Sequence, residues 1–251
     1  MNNTILIKTP EEIAILRKAG RILSSVLKEV GFSLKAGMTT REVDLLTDKF
    51  IVQSGCRAAF KGYRGYPASA CVSINQEVVH GIPSDDRIIK AGDIVSIDAG
   101  LIYKDYFADA AVTIPIGRIG TEVQMLVDVT RDALYQGIEQ ARVGAHLSDI
   151  SHAVQMCAEA QHCSVVRDFV GHGIGRNLHE EPEILNYGPP HCGPILQEGM
   201  VFCIEPMLNL GTWETRILED GWTVETADGK PSAHFEHMVA ILRDGPEILT
   251  E

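Results

Sequence analysis

The chain has 251 residues, 45% of them hydrophobic, which is enough for one well-buried domain. Its formal charge of -12, from 22 basic and 34 acidic side chains, argues against nucleic acid or an anionic membrane as the main partner. No run of about 18 apolar residues predicts a transmembrane helix. Six cysteines without a Cys-x-x-Cys pair fit a reducing cytoplasm. We therefore expect one cytoplasmic domain over residues 1–251, and a monomer, because the sequence has no strongly apolar exposed stripe.

Two helices are predicted near the start of the chain, each behind a capping signal. Thr9 is a hydroxyl N-cap, followed by proline at the first helical position and by Glu12 three residues after the cap, and the helix continues toward residue 30. Thr39 and Glu42 repeat the signal, and the second helix stops at Gly55. Further along the chain we predict strands at 70–74, 93–98 and 105–114, helices at roughly 121–142 and 147–161, and then mainly strands.

The order helix, helix, strands occurs twice, and short segments of the two halves match in sequence. Residues 90–98 align with 197–205, and residues 107–114 align with 234–241, in the same order along the chain. This predicts an internal duplication with halves at about 8–120 and 121–248. A duplicated unit of this kind predicts an α+β domain whose helices cover one face of a curved, mainly antiparallel sheet.

The repeat places four carboxylates in two matched pairs. Asp98 corresponds to Glu205 and Asp109 to Glu236, and all four lie in strongly apolar segments without Lys or Arg. The separation of Asp98 and Asp109 along the chain suits neighbouring strands of a hairpin. Because a carboxylate rarely enters apolar surroundings without a partner for its charge, four of them predict a site for two divalent ions.

Histidines beside glycines supply a second type of ligand. His172 lies between two glycines, which let the backbone approach a site closely, and His80 precedes a glycine. His179 follows His172 by seven residues. A site of oxygens with one imidazole favours Mn(II), Fe(II) or Co(II), with Zn(II) also compatible. Two such ions ~3.5–4 Å apart, a spacing typical of two-metal hydrolases, would lower the pKa of a shared water toward neutrality.

These residues resemble the methionine aminopeptidases of the pita-bread fold, over nearly the whole chain from about residue 8 to residue 248. The resemblance implies that five residues bind the metal ions: Asp98, Asp109, His172, Glu205 and Glu236. It also implies that Glu205 accepts a proton from the attacking water, that His179 stabilises the oxyanion, and that His80 contacts the scissile amide. The segments that carry the resemblance are 63–75, 79–83, 98–100, 171–175, 179–182, 204–206 and 235–237.

The resemblance implies removal of the initiator methionine from peptides and nascent chains, with a small second residue preferred. The implied walls of the methionine pocket are Phe60, Tyr63, Tyr66, Cys71, Leu178 and Trp222. Leu178 stands where an aromatic residue is usual, and Phe60 where a smaller one is often found, so the shape of the pocket stays open. The chain resembles the type I branch in its bacterial or organellar form, and a transient contact with the ribosome is left open.

Two alternatives stay open from the residues alone. Prolidases and Xaa-Pro aminopeptidases resemble the chain in all five ligands, but they normally carry an N-terminal domain for which we expect no room here. A non-catalytic binding module of the same fold is the other alternative, and the presence of all five ligands disfavours it.

Overall fold

The structure, a computed structural model, describes residues 4–251, and the first three residues of the predicted domain 1–251 lie outside the described residues. Its helices are α1 (Pro10–Ser33), α2 (Thr40–Gln53), α3 (Thr121–Gln140) and α4 (Leu147–Ala160), and a short 3-10 turn covers Tyr63–Gly65. Its strands are β1 (Arg57–Ala58), β2 (Ala70–Ile74), β3 (Glu77–Val79), β4 (Ile94–Tyr103), β5 (Tyr106–Pro115), β6 (Ser164–Val165), β7 (Gly171–Gly173), β8 (Glu180–Ile184), β9 (Val201–Ile204), β10 (Met207–Asn209), β11 (Thr215–Ile217), β12 (Val224–Thr226), β13 (Ser232–His234), β14 (His237–Leu242) and β15 (Gly245–Ile248).

Both predicted capping signals form in the structure. The Glu12 amide donates to Thr9 Oγ1 at 3.3 Å, and the Thr9 amide donates to the Glu12 carboxylate at 3.0 Å. Thr39 and Glu42 make the same reciprocal pair at 3.1 and 2.8 Å. Caps of this kind contribute about 1 kcal/mol each. The predicted start of both helices is confirmed, although α1 runs on to Ser33 rather than stopping near residue 30.

The strands that carry the first two acids form one long antiparallel hairpin. β4 continues well beyond the predicted end at residue 98, because it stays paired with β5 as far as the turn. Lys104 and Asp105 form that turn with positive φ values of 49 and 62°, as a tight two-residue hairpin loop requires. Asp98 lies opposite Ala111, two residues along β5 from Asp109, so the two carboxylates lie on the same face of the hairpin.

All strand pairings within residues 4–251 are antiparallel, and the strands form four sheets. Helices α1 and α2 pack against the sheet of β1, β2, β4 and β5, whereas α3 packs against strands of the second half, including β9, β10 and β13. A bridge between Ala111 and Glu236 joins β5 to the strand region that carries the last acid. The bridge therefore places both halves of the chain at one site.

Equivalent backbone contacts recur in the two halves. The Gly37 amide donates to the Ile89 carbonyl at 2.8 Å, and the Gly144 amide donates to the Leu196 carbonyl at 2.9 Å. The two glycines have similar positive φ values of 94 and 89°. The donor and the acceptor of the second contact each lie 107 residues after their counterparts in the first, since 144 - 37 and 196 - 89 are both 107. This agreement supports the internal duplication, while the half boundaries at about 8–120 and 121–248 stay a prediction.

The hydrophobic core follows the same division. One cluster of buried side chains lies under α1 and α2 and includes Leu16 and Leu23, and another lies under α3 and α4 and includes Leu126 and Phe202. Across residues 4–251, no helix is both long enough and apolar enough to cross a bilayer. The helices instead bury one face each against the sheets.

Candidate metal centre and active site

One cavity of about 320 Å³ brings the predicted site residues together. It lies where the β4–β5 hairpin meets β7, β9 and the start of β14. Its lining includes all thirteen residues predicted from the sequence: Phe60, Tyr63, Tyr66, Cys71, His80, Asp98, Asp109, His172, Leu178, His179, Glu205, Trp222 and Glu236. It also includes six residues that were not predicted: Arg64, Val79, Asp168, Phe169, Val170 and His234.

The four acids and one imidazole meet at the base of the cavity. Oxygen atoms of Asp98, Asp109 and Glu236 lie within 4.8 Å of one another. His172 Nε2 lies 3.6 Å from Glu205 Oε1 and 4.0 Å from Asp109 Oδ2. The five residues that were predicted as ligands from distant parts of the sequence therefore form one cluster.

Each of the four acids has a buried oxygen without a hydrogen-bond partner: Asp98 Oδ1, Asp109 Oδ1, Glu205 Oε1 and Glu236 Oε1. A buried polar atom left unpaired costs about 1–3 kcal/mol, so four in one cluster point to a missing cationic partner. Arg64 is the lining residue with a permanent positive charge, and it is exposed. Carboxylate oxygens with one imidazole are a donor set that suits divalent transition metals, so the residues present fit such ions.

The electrostatics of the cluster also call for cations. Burial raises the pKa of Asp98 to about 7. Burial, followed by repulsion from neighbouring carboxylates, holds the pKa values of Asp109, Glu205 and Glu236 well above their usual range. Four carboxylates this close cannot all ionise unless positive charge lies between them. Burial lowers the pKa of His172 to about 4, so at neutral pH its imidazole is neutral and can donate a lone pair.

The glycines beside His172 permit the close packing that brings its ring to the cluster. A Cβ at Gly171 would lie 2.4 Å from the Cys203 carbonyl oxygen. A Cβ at Gly173 would lie 2.1 Å from the Glu181 carbonyl oxygen. Only glycine fits at such distances, which confirms the expectation that these glycines allow a close backbone approach.

Gly173→Ala is expected to lower the free energy of unfolding by about 1–3 kcal/mol, the usual cost of overpacking, and to weaken metal binding. The added methyl group must displace the β8 backbone at Glu181 and, with it, the strand that carries His172. Denaturant unfolding and calorimetric metal titration measure the two effects. Gly120→Ala is the matched control, because a Cβ there meets nothing within 4 Å. Equal stability and metal affinity for the two variants would contradict the packing argument.

His179 lies at the mouth of the cavity, beside Tyr63. Its Nδ1 is 2.9 Å from the Tyr63 hydroxyl, and the two rings are stacked with centroids 5.3 Å apart. The centroid of the His172 ring lies 4.2 Å from that of the His179 ring, on the side of the carboxylate cluster. Burial against these neighbours, with a smaller contribution from His172, Arg64 and His80, lowers the pKa of His179 to about 3. The imidazole is therefore neutral at neutral pH.

His80 is held in an unusual backbone conformation. Its φ of 60° lies in the left-handed region, which a residue with a side chain rarely adopts outside tight turns and functional sites. Its ring contacts the Phe169 and Trp222 rings edge to face, at 5.5 and 6.2 Å. Burial lowers the pKa of His80 to about 4. The conformation fixes a neutral imidazole on the cavity wall.

The remaining predicted residues form a largely apolar pocket. Phe60, Tyr66, Cys71 and Leu178 are buried, and Trp222 is half-buried. The Tyr66 hydroxyl donates to the carbonyls of Ala70 and Gly81, at 3.2 and 3.1 Å, so its polar end is satisfied away from the pocket. Burial raises the pKa of the Cys71 thiol well above its usual value, so the thiol stays neutral.

The lining residues that the sequence did not reveal differ in how far they could have been found. His234 lies two residues before Glu236, the spacing that places side chains on one face of a strand, and this signal was available. Phe169 and Val170 lie in the connection between β6 and β7, where no periodic pattern exists. Cys203 Sγ lies within 4.8 Å of ligand atoms of His172 and Glu236, but burial keeps its thiol neutral.

A buried cluster of carboxylates and imidazole beside an apolar pocket, on an α+β fold, is the arrangement expected of a metal-dependent hydrolase. The chain matches metallopeptidase family M24 over residues 14–243 and belongs to that family. It is 48% identical over 246 residues to methionine aminopeptidase 1 of Bacillus subtilis (strain 168), covering 98% of this chain and 99% of that protein.

Solved structures give the same picture of the fold. The chain is similar to the crystal structure of methionine aminopeptidase from Rickettsia prowazekii, with a TM-score of 0.97 and 41% identity over 99% of this chain and 100% of that one. An Xaa-Pro dipeptidase from Bacillus anthracis matches with a TM-score of 0.79 and 21% identity, over 98% of this chain and 62% of that one, which shows the fold alone. The predicted pita-bread fold class is confirmed.

Proposed function

We propose that this protein is a metal-dependent methionine aminopeptidase that releases the initiator methionine from peptides and nascent proteins with a small second residue. The observation that carries the proposal is the placement of an apolar pocket directly beside a cluster of unpaired carboxylates in one cavity. A peptide that begins with methionine presents an unbranched apolar side chain next to its free amine and first carbonyl group. Its similarity to methionine aminopeptidases supports the same function.

The proposed ligands are Asp98, Asp109, His172, Glu205 and Glu236, which would hold two divalent ions. Mn(II), Fe(II) or Co(II) suit this donor set best, and Zn(II) is also compatible. When bound, the ions supply a water of lowered pKa as the nucleophile and polarise the scissile carbonyl. Two divalent cations would balance the charge of the four carboxylates. Within residues 4–251, the protein itself places no cationic side chain beside them at the base of the cavity.

The side chains around the cluster have distinct proposed roles in the hydrolysis. Glu205 accepts the proton of the attacking water, as a buried carboxylate with an unpaired oxygen facing His172 is suited to do. His179 donates a hydrogen bond to the oxyanion that forms on the substrate carbonyl. His80 contacts the amide that becomes the leaving group. Its ring is held on the cavity wall by edge-to-face contacts with the rings of Phe169 and Trp222.

The methionine side chain binds among Phe60, Tyr63, Tyr66, Cys71, Leu178 and Trp222 in this proposal. Burying such a side chain contributes about 1.5–3 kcal/mol. Phe60 and Leu178, the two residues that depart from the usual pattern of the family, are both buried in the cavity wall. Phe60 is larger and Leu178 smaller than the residue usual at that position. Both are apolar, so the outline of the pocket changes while its apolar character stays.

The wider setting is also part of the proposal. The protein acts as a cytoplasmic monomer and as a single catalytic domain over residues 1–251, with peptide N-termini as partners and with neither nucleic acid nor membrane. The net charge of -12 supports this choice of partners, because an acidic surface repels nucleic acid and anionic lipid. Acting on nascent chains would bring it transiently to the ribosome.

Removal of metal is expected to abolish release of methionine from Met-Ala-Ser, and addition of Mn(II), Co(II) or Fe(II) to restore it. Calorimetry of the same metal-free protein counts the ions bound per chain. Met-Arg-Ser is the matched substrate, and slower cleavage of it supports the preference for a small second residue. Cleavage of an Ala-Pro peptide alone would reassign the protein as an Xaa-Pro aminopeptidase. A protein that binds no metal and cleaves neither Met-Ala-Ser nor the Ala-Pro peptide would be a binding module.

A further inference from the structure

His234 is a buried histidine whose ring has no hydrogen-bond partner. Its side chain is 1% exposed, and both ring nitrogens are buried without a donor or acceptor in reach. Its backbone is tied on both sides to Thr113, because its amide donates to Thr113 Oγ1 at 3.0 Å and its carbonyl accepts from the same hydroxyl at 2.7 Å. The backbone of this residue is therefore held in place, and its side chain lines the cavity.

An unsatisfied buried imidazole is costly, and native structures contain few of them. Each buried polar atom without a partner costs about 1–3 kcal/mol, and most such atoms in folded proteins have found one. Nothing in the packing explains a histidine here, because β13 and its neighbours could bury an apolar side chain at no such cost. The position therefore calls for a function that uses a ring nitrogen.

Among the carboxylates of the described residues, only that of Glu205 lies within 4.0 Å of a ring nitrogen of His234. His234 Nε2 lies 3.9 Å from Glu205 Oε2, while His172 Nε2 lies 3.6 Å from Glu205 Oε1. The two imidazoles thus bracket the carboxylate, one facing each oxygen.

We propose that His234 is a positioning residue, whose Nε2–H donates a hydrogen bond to Glu205 Oε2 and thereby orients that carboxylate. The role rests on the proposed function, in which Glu205 binds metal and accepts the proton of the attacking water. The gap of 3.9 Å is about 1 Å longer than a typical N–H···O bond. A shift of about 1 Å in either side chain would close it, and hydrogen bonds of active sites are often long before the reacting groups are bound.

The geometry favours a positioning role over a further metal ligand. His172 Nε2 lies within 4.0 Å of oxygens of two carboxylates, Asp109 and Glu205, whereas among the described residues His234 Nε2 lies that close only to the Glu205 carboxylate. His234 approaches one oxygen of one carboxylate, whereas a ligand would approach several. A side chain that holds a metal-binding carboxylate in place is the usual outer partner of such a site, and its loss typically costs 10–100-fold in metal affinity or activity.

Two variants separate the hydrogen bond from the packing. His234→Leu fills the space without a donor, and His234→Gln restores an N–H donor. We expect His234→Leu to lower kcat for methionine release by about 10–100-fold with little change in KM, and to weaken the Kd for Mn(II), titrated into metal-free protein, by about tenfold. His234→Gln is expected to recover most of both losses. Thermal unfolding checks that both variants are folded.

Two results would overturn the role of His234. One is wild-type kcat and Mn(II) affinity in His234→Leu, and the other is an equal loss in both variants, which would reduce the residue to packing. A wild-type protein that binds Mn(II) but releases no methionine would refute the proposed function, and the Mn(II) affinities of the two variants would then still decide whether His234 holds Glu205. A wild-type protein that binds no metal overturns both.

Discussion

Replacing Glu205 with glutamine is expected to lower kcat for methionine release by about 10²–10⁴-fold, the range typical of losing a general base. Glutamine has nearly the same shape as glutamate, so the chain should keep its fold, but an amide cannot accept the proton of the attacking water. Peptide cleavage at saturating Met-Ala-Ser measures the effect. Glu198→Gln is the control, because it removes the same charge from an exposed position close by in the sequence.

The metal content of Glu205→Gln decides between the two roles that one residue has here. Glu205 is proposed both to bind metal and to accept a proton, so activity alone cannot separate them. Because the other four proposed ligands stay in place, we expect the variant to bind metal, with reduced affinity, while its kcat stays low even at saturating metal. Full recovery of kcat at high metal concentration would mean that Glu205 serves as a ligand only.

The acids of this site could be found from the sequence because four of them stand at repeat-related positions in apolar segments. Asp98 and Asp109 lie in segments whose neighbours are nearly all buried, and the cost of burying a lone carboxylate made a shared cationic partner the best explanation. The repeat carried this prediction, because it matched Asp98 with Glu205 and Asp109 with Glu236. The structure brings these acids together at the base of one cavity, where each has an unpaired oxygen.

Other features depend on contacts that no local pattern encodes. Phe169 reaches the cavity from an irregular connection, and its position depends on the ring of His80 packing against it. His234 had a local signal in its spacing from Glu236, but it corresponds in the repeat to Phe107, an apolar residue, so the repeat that pointed to the acids did not point to the histidine. The division into four sheets also escaped prediction, because many of the strands in the second half span only two to four residues and carry no clear alternation.

The boundaries of helices and strands show the same contrast between signals that are local in sequence and those that depend on tertiary contacts. The starts of α1 and α2 were predicted to the residue, because Thr9 and Thr39 satisfy amides of their own first turns. The length of β4 was underestimated, because its second half contains Gly100 and is held by pairing with β5 rather than by its own residues. Caps are encoded within four residues, whereas strand length depends on the partner strand.

His179→Ala is expected to lower kcat by about 10²–10³-fold, the usual effect of removing one donor to an oxyanion. The expectation depends on which nitrogen carries the proton. The Tyr63 hydroxyl lies 2.9 Å from His179 Nδ1, and if this hydroxyl is the donor, the neutral imidazole carries its proton on Nε2. Nε2–H then remains free to donate to the substrate oxygen. Steady-state kinetics with Met-Ala-Ser measure the loss, and the metal content of the variant should be unchanged because His179 is not among the proposed ligands.

Tyr63→Phe tests this tautomer argument, because it removes the hydroxyl and keeps the stacked ring. Loss of one hydrogen bond that fixes the imidazole should lower kcat by about 2- to 10-fold. If Tyr63 acts only through His179, the same substitution should have no further effect in the His179→Ala background, since the group that it orients is gone. An undiminished effect in that background would mean that the hydroxyl acts on the substrate directly. Tyr63 would then belong to the methionine pocket alone, and the Nε2 proton of His179 would need another explanation.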